Sequence, residues 1–153
     1  MTKKSGVHGL KELETALNEL TPAVSKRVTR KALRESAWII TREAQALAKA
    51  RLQRLTGRLF RGINQGEGRQ IRKPKGAVSM AFKIGFTNAA PHGPMLEFGT
   101  GPRKTKDGKS TGVGPAFRFM TDAWHGKKDA AKASFEQAAL RIVEEEAAKL
   151  AKT

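Results

Sequence analysis

Few residues in this chain stand at spacings that serve catalysis. His8, His92 and His125 form no His-x-x-x-His pair, and no carboxylate stands at a metal-ligand spacing from any of them. No metal centre is therefore expected. Glu97 lies between Leu96 and Phe98 in an apolar stretch, a setting that can perturb a carboxyl group. No second acid or histidine adjoins it, so the expected role is a structural hydrogen bond or an ion pair to an arginine rather than acid–base chemistry. Thr56-Gly57-Arg58 and Gly112-Val113-Gly114 are too short for phosphate-binding loops. Ser, His and Asp residues form no recognisable triad motif. The sequence predicts a non-enzyme without cofactor.

The chemistry that the sequence does offer is electrostatic. Thirty Lys and Arg face fourteen Asp and Glu, a net charge of +16. Such an excess points to a polyanionic neighbour, whether nucleic acid, an acidic protein face or an anionic membrane, or else serves solubility with no dedicated partner. It is uneven: Thr21–Gly76 holds fifteen basic residues against Glu35, Glu43 and Glu67. Three groups are candidates for partner binding: Arg27, Lys31, Arg34, Trp38 and Arg42; Arg69, Arg72, Lys73 and Lys75; and Arg103, Lys104, Lys106 and Lys109. The first, with an indole among the cations, could follow phosphates and stack a base. Aromatic residues are only 6% of the chain, tyrosine is absent and no named nucleic-acid motif occurs, so non-specific contact rather than sequence readout is expected.

These groups need elements to carry them. Leu10, Leu13, Leu17 and Leu20 mark one face of a short helix, and Thr21-Pro22 signals the start of a second, running to about Leu52. Its apolar stripe is Leu33, Ala37, Ile40, Ala44 and Leu47, with the basic residues centred roughly 140° away. Val24, Val28 and Ile39 fit neither stripe and predict a second covered surface. Strict alternation over Ala77–Thr87 predicts a strand covered on one face. Glycine- and lysine-rich stretches at about 64–76 and 101–114 read as mobile loops. A last helix should start near Met120 or after Gly126, with Ala131, Phe135, Ala138 and Ile142 facing the core.

Together these predict one α+β domain spanning residues 1–153: two N-terminal helices and a long C-terminal helix on one face of a small antiparallel sheet. Its length supports a core without staples. There are no cysteines, which excludes disulfides and fits a reducing compartment. No apolar run nears the roughly 18 residues of a membrane span, and no apolar segment follows the N-terminal lysines as a secretory signal would require.

Three segments carry a resemblance. Thr56-Gly57-Arg58-Leu59-Phe60-Arg61-Gly62-Ile63 resembles the Thr-Gly-x-Leu-x-x-x-Ile element of the siphophage gene-product-ten-like tail-component, or tail-completion, proteins. Leu96-Glu97-Phe98-Gly99-Thr100 resembles their Glu-Phe-Gly-Thr signature. Pro115-Ala116-Phe117-Arg118-Phe119-Met120 resembles the proline-aromatic segment that opens their last helix. The sequence departs from the pattern at His92-Gly93-Pro94-Met95, where aromatics would be usual, and at Arg118, which separates two phenylalanines.

The resemblance implies a virion protein of the head–tail junction, made in the host cytoplasm. It would be a subunit of a homo-oligomeric ring, a hexamer being the candidate closure. Connector or stopper and tail-terminator or tail-tube proteins would be its neighbours, with non-specific DNA contact and no membrane. Thr56, Gly57, Leu59, Ile63, Glu97, Phe98, Gly99, Thr100, Pro115, Phe117 and Phe119 would then be the structural motif residues. Of these, Leu59, Ile63, Phe98, Phe117 and Phe119 are expected in the core.

Overall fold

A computed structural model describes residues 21–52, 57–67 and 80–150, apart from the side chains of Glu67, Ala147 and Leu150. The leucine-striped N-terminal helix, Thr56 and the basic run Arg69–Lys75 lie outside the described residues. The fold is α+β. Two long helices, α1 (Pro22–Arg51) and α4 (Phe119–Leu150), form an antiparallel pair. Between them in sequence come α2 (Gly57–Gly62), β1 (Ile63–Glu67), β2 (Phe82–Phe86), α3 (Gly93–Phe98), β3 (Thr100–Lys104) and β4 (Ser110–Gly114).

Helix α1 begins where proline allows it. Pro22 occupies the first helical position, where its missing N–H would have no partner in any case. Thr21 stands at the N-cap, but its hydroxyl makes no capping bond; the first helical bond runs from the Ser25 N–H to the Thr21 carbonyl at 3.0 Å. Lys49 and Arg51 in the last turn oppose the negative end of the helix dipole.

The buried face of α1 is not one straight stripe. Ser25, Val28, Ala32 and Ser36 are buried in its first half, and Ala37, Ile40, Thr41, Ala44 and Ala48 in its second. At 100° per residue the buried sector swings by roughly 130° between the halves. Val28 and Ala32 pack on Ala138, Ala139 and Ile142 of α4. Further along, Ile40, Ala44 and Ala48 join Ile63, Phe119, Ala123 and Ala131. This explains why Val28, fully buried, fits no single stripe with Leu33 and Leu47. Alanine dominates both sides, so the helix backbones can approach closely.

Ion pairs at the margins keep the register. Arg27 meets Glu146 at 3.3 Å, Arg141 meets Glu35 at 2.8 Å, Lys127 meets Glu43 at 3.7 Å and Arg51 meets Asp122 at 2.6 Å. The pairs other than Arg27–Glu146, whose carboxylate is buried, are solvent-accessible and contribute under about 1 kcal/mol each, so alignment is their main effect.

Strands β1 and β2 pair antiparallel, with Ile63 opposite Phe86, Gln65 opposite Ile84 and Glu67 opposite Phe82. The expected strand Ala77–Thr87 is thus shorter among the described residues, at Phe82–Phe86. Conversely Asn64–Glu67, expected to open a mobile loop, is strand. It has no apolar alternation of its own and takes its conformation from pairing with β2. The Gly101–Gly114 stretch, also expected as a mobile loop, is a separate two-stranded hairpin, β3–β4. Its tip turns at Lys106–Gly108, with Gly108 at φ 76°. The hairpin packs mainly on itself and projects from the helical body.

Helix α4 starts at Phe119, before Met120, and runs on through Gly126. Its expected core residues Ala131, Ala138 and Ile142 are buried, and Phe135 is half-buried against the cluster of Ala138 and Ile142.

Candidate functional site

The resemblance segments converge on the start of α4. Phe119 is fully buried and meets Phe86 edge to face, with ring centroids 5.9 Å apart at 85°. Ile63, also fully buried, belongs to the same cluster, and Leu59 is buried on α2. Gln45 of α1 donates to the Ile63 carbonyl at 2.9 Å and so ties the end of α2 to the long helix. Phe117 is half-buried against this cluster. Phe98 corrects the expectation of a core residue: it is 73% exposed. The short helix α3 turns Glu97 inward, and its neighbour consequently points out.

Glu97 is 1% exposed, and among the described residues its partners belong to Met120 and Thr121 rather than to an arginine. Its carboxylate accepts the backbone N–H groups of Met120 at 2.9 Å and Thr121 at 2.8 Å, and the Thr121 hydroxyl at 2.7 Å. It therefore caps the first turn of α4 from a distant segment, satisfying two otherwise unpaired donors where the helix dipole favours negative charge. Backbone bonds lock the same two segments together. The Phe117 N–H donates to the Leu96 carbonyl at 2.9 Å and the Arg118 N–H to the Glu97 carbonyl at 3.1 Å. Gly99 takes φ 74°, and a Cβ there would stand 2.7 Å from the Gly114 carbonyl oxygen, so only glycine fits. The Thr100 hydroxyl accepts the Gly114 N–H at 3.0 Å. Gly57, the first residue of α2, and Pro115, in the segment leading into α4, are exposed. The motif residues build a fold junction and present no reactive group.

Beside this junction lies an open apolar groove of about 690 Å³, walled by Phe82, Ile84 and Phe86 on one side and by Ile40, Met120 and Trp124 on the other. Phe98 borders it, and Trp124 is 53% exposed. A further depression continues it along Leu33, Ala37 and Phe135, with Lys128 and Lys132 at the rim.

The basic candidates divide into three. Arg27 and Lys31 sit beside Glu146, at 3.3 and 3.9 Å. Glu146 itself is largely buried, and its carboxyl is held below the usual carboxylate range. The Lys149 hydrogen bond is the largest cause, burial opposes it, and the charges of Lys149, Arg27 and Lys31 add to it. Arg34, Trp38 and Arg42 follow at four-residue spacing, with the Arg42 guanidinium 5.7 Å from the centre of the Trp38 ring. Arg103, Lys104, Lys106 and Lys109 are all exposed on the projecting hairpin.

Arg30, one turn before Arg34, lines the same row and was not singled out by the sequence reading. Its spacing of four from Arg34 was the available signal. Asn64, Gln65 and Phe82 complete a second groove with these residues, which only strand pairing could reveal. Among the described residues no cluster of His, Asp or Glu could hold a metal ion, and no helix is long and apolar enough to cross a membrane. In comparisons with known proteins, the chain matches no family model, no curated protein and no solved structure.

Proposed function

We propose that this chain is a structural subunit of a tailed-phage head–tail junction, a tail-completion or neck component that works in a homo-oligomeric ring, with six subunits as the candidate closure. The observation that carries the reading is a pair of unlike uncovered surfaces meeting at Phe82. One is the apolar groove with exposed Phe98 and Trp124; the other is the cationic row Arg30–Arg34–Trp38–Arg42. A ring closed head to tail needs two different, complementary surfaces on each subunit. Exposed aromatic side chains beside arginines are also the residue types that anchor protein interfaces.

The projecting hairpin supports the same reading. It carries Arg103, Lys104, Lys106 and Lys109 against a single acid, Asp107, and offers a cationic arm to an adjacent connector, stopper or tail protein. In this role the protein is not an enzyme, uses no cofactor and resides in the virion after synthesis in the host cytoplasm. Electron microscopy of particles assembled without it is expected to show heads and tails that fail to join. Normally joined particles would overturn the proposal.

A second reading is a non-specific DNA-binding protein. The arginine row beside a tryptophan favours it, and duplex binding with a steep salt dependence would be its mark.

A further inference from the structure

Where β1 runs alongside α1, the two enclose a groove of about 350 Å³. Arg30, Arg34 and Trp38 line it from the helix, Asn64, Gln65 and Gly66 from β1, and Phe82 from β2. It lies outside the junction built by the motif segments, and its lining among the described residues includes no acid. We propose that this groove binds single-stranded nucleic acid, stacking one base on Trp38 and seating the adjoining phosphates on the Arg34 side. This inference is independent of the ring reading, since a groove on one subunit needs no neighbour.

Three observations carry it. First, the indole is held ready. Trp38 is 40% exposed, and Arg42 lies 5.7 Å from its ring centre, fixing the plane from a position outside the groove lining. An exposed aromatic face beside guanidinium groups is the usual platform for an unpaired base.

Second, the groove is small, at the lower end of the roughly 300–1,000 Å³ of ligand pockets. It takes a base singly. A duplex keeps its bases stacked and paired, and cannot present one to Trp38 without extrusion.

Third, Gln65 Oε1 is buried at the groove without a hydrogen-bond partner among the described residues. An orphaned acceptor calls for an N–H donor. Nucleobases carry N–H groups on their pairing edges. The carboxylate of an acidic peptide carries none, so such a peptide could meet this acceptor only through its backbone amides.

The test uses the full-length Trp124→Phe protein, in which Trp38 is the sole indole. A twelve-residue oligothymidylate is titrated at about 150 mM salt. Trp38 fluorescence is expected to quench and saturate at micromolar concentrations, with log affinity falling linearly in log salt. In the otherwise unchanged protein, followed by polarisation of a labelled oligonucleotide, Trp38→Ala should weaken binding about tenfold. Arg34→Ala should reduce the salt slope by about one. Both positions are exposed, and unchanged circular-dichroism melts identify a folded variant. If Trp38→Ala does not fold, the quench in the Trp124→Phe protein decides alone. The proposal fails if the oligonucleotide leaves Trp38 unquenched. It fails equally if a blunt duplex quenches as strongly at the same concentration, or if poly-glutamate competes the strand away at equal charge.

Discussion

The carboxylate of Glu97 accepts two hydrogen bonds from one residue, Thr121, whose backbone N–H and hydroxyl lie 2.8 and 2.7 Å from the same oxygen. The other oxygen takes the Met120 N–H at 2.9 Å. A buried acid 23 positions upstream thus does the work that a local N-cap performs in most helices, and it binds α3 to the first turn of α4.

Removing that carboxylate should be costly. Glu97→Ala leaves two part-buried N–H groups unpaired and a void, and is expected to cost about 2–4 kcal/mol in urea denaturation. Glu97→Gln retains one good acceptor and should cost about 1–2 kcal/mol. A loss below 0.5 kcal/mol, the usual range of neutral surface changes, in the alanine variant would contradict the capping role.

Neighbouring phenylalanines should respond in opposite ways. Phe119 is fully buried, and Phe119→Ala is expected to cost about 3–5 kcal/mol. Phe98, 73% exposed, should tolerate Phe98→Ser within about 0.5 kcal/mol. Chemical denaturation of the two variants side by side checks both values.

Glu146 sets an acid limb on stability. Its carboxyl is depressed in the folded state, mainly by the Lys149 hydrogen bond. The unfolded chain therefore takes up this proton first as pH falls. The contribution is fully present above the ordinary glutamate value of about 4.3 and is lost as pH drops through the lower folded value. Glu146→Gln should lower the melting temperature at pH 7, and the gap from the parent should close towards pH 3. A gap that persists at pH 3 would show that packing, not charge, is responsible.

Gly126 lies within α4, and a Cβ there would meet nothing within 4 Å. Gly126→Ala should stabilise the protein by about 0.5–1 kcal/mol through helix propensity alone. A destabilised variant in a thermal melt would contradict the open surroundings of this glycine.

Much of the helical layer was legible because its signals are local. Pro22 marks the start of α1, and the apolar repeat over Ala131–Ile142 marks the buried face of α4. Val28 resisted assignment because the covering surface turns around α1, which a single stripe cannot express. The hairpin was read as a loop from its glycines and lysines, although Asp107-Gly108 at its tip is a known turn signal. Phe98 was placed in the core as one of the motif residues, whereas the direction of a side chain in a one-turn helix depends on what Glu97 must reach. The Glu97 hydrogen bond was anticipated but its partner was not. Two of its three donors are backbone N–H groups, which leave no trace in residue type.

The hairpin is rooted by backbone and hydroxyl bonds around Gly99, Thr100 and Gly114, while its cationic tip touches little else. Anchor and message are thereby separated. Charges at Arg103, Lys104, Lys106 and Lys109 can be reversed, lost or multiplied at almost no cost to folding. A lineage carrying this scaffold can therefore change the charge its hairpin presents faster than its core can drift.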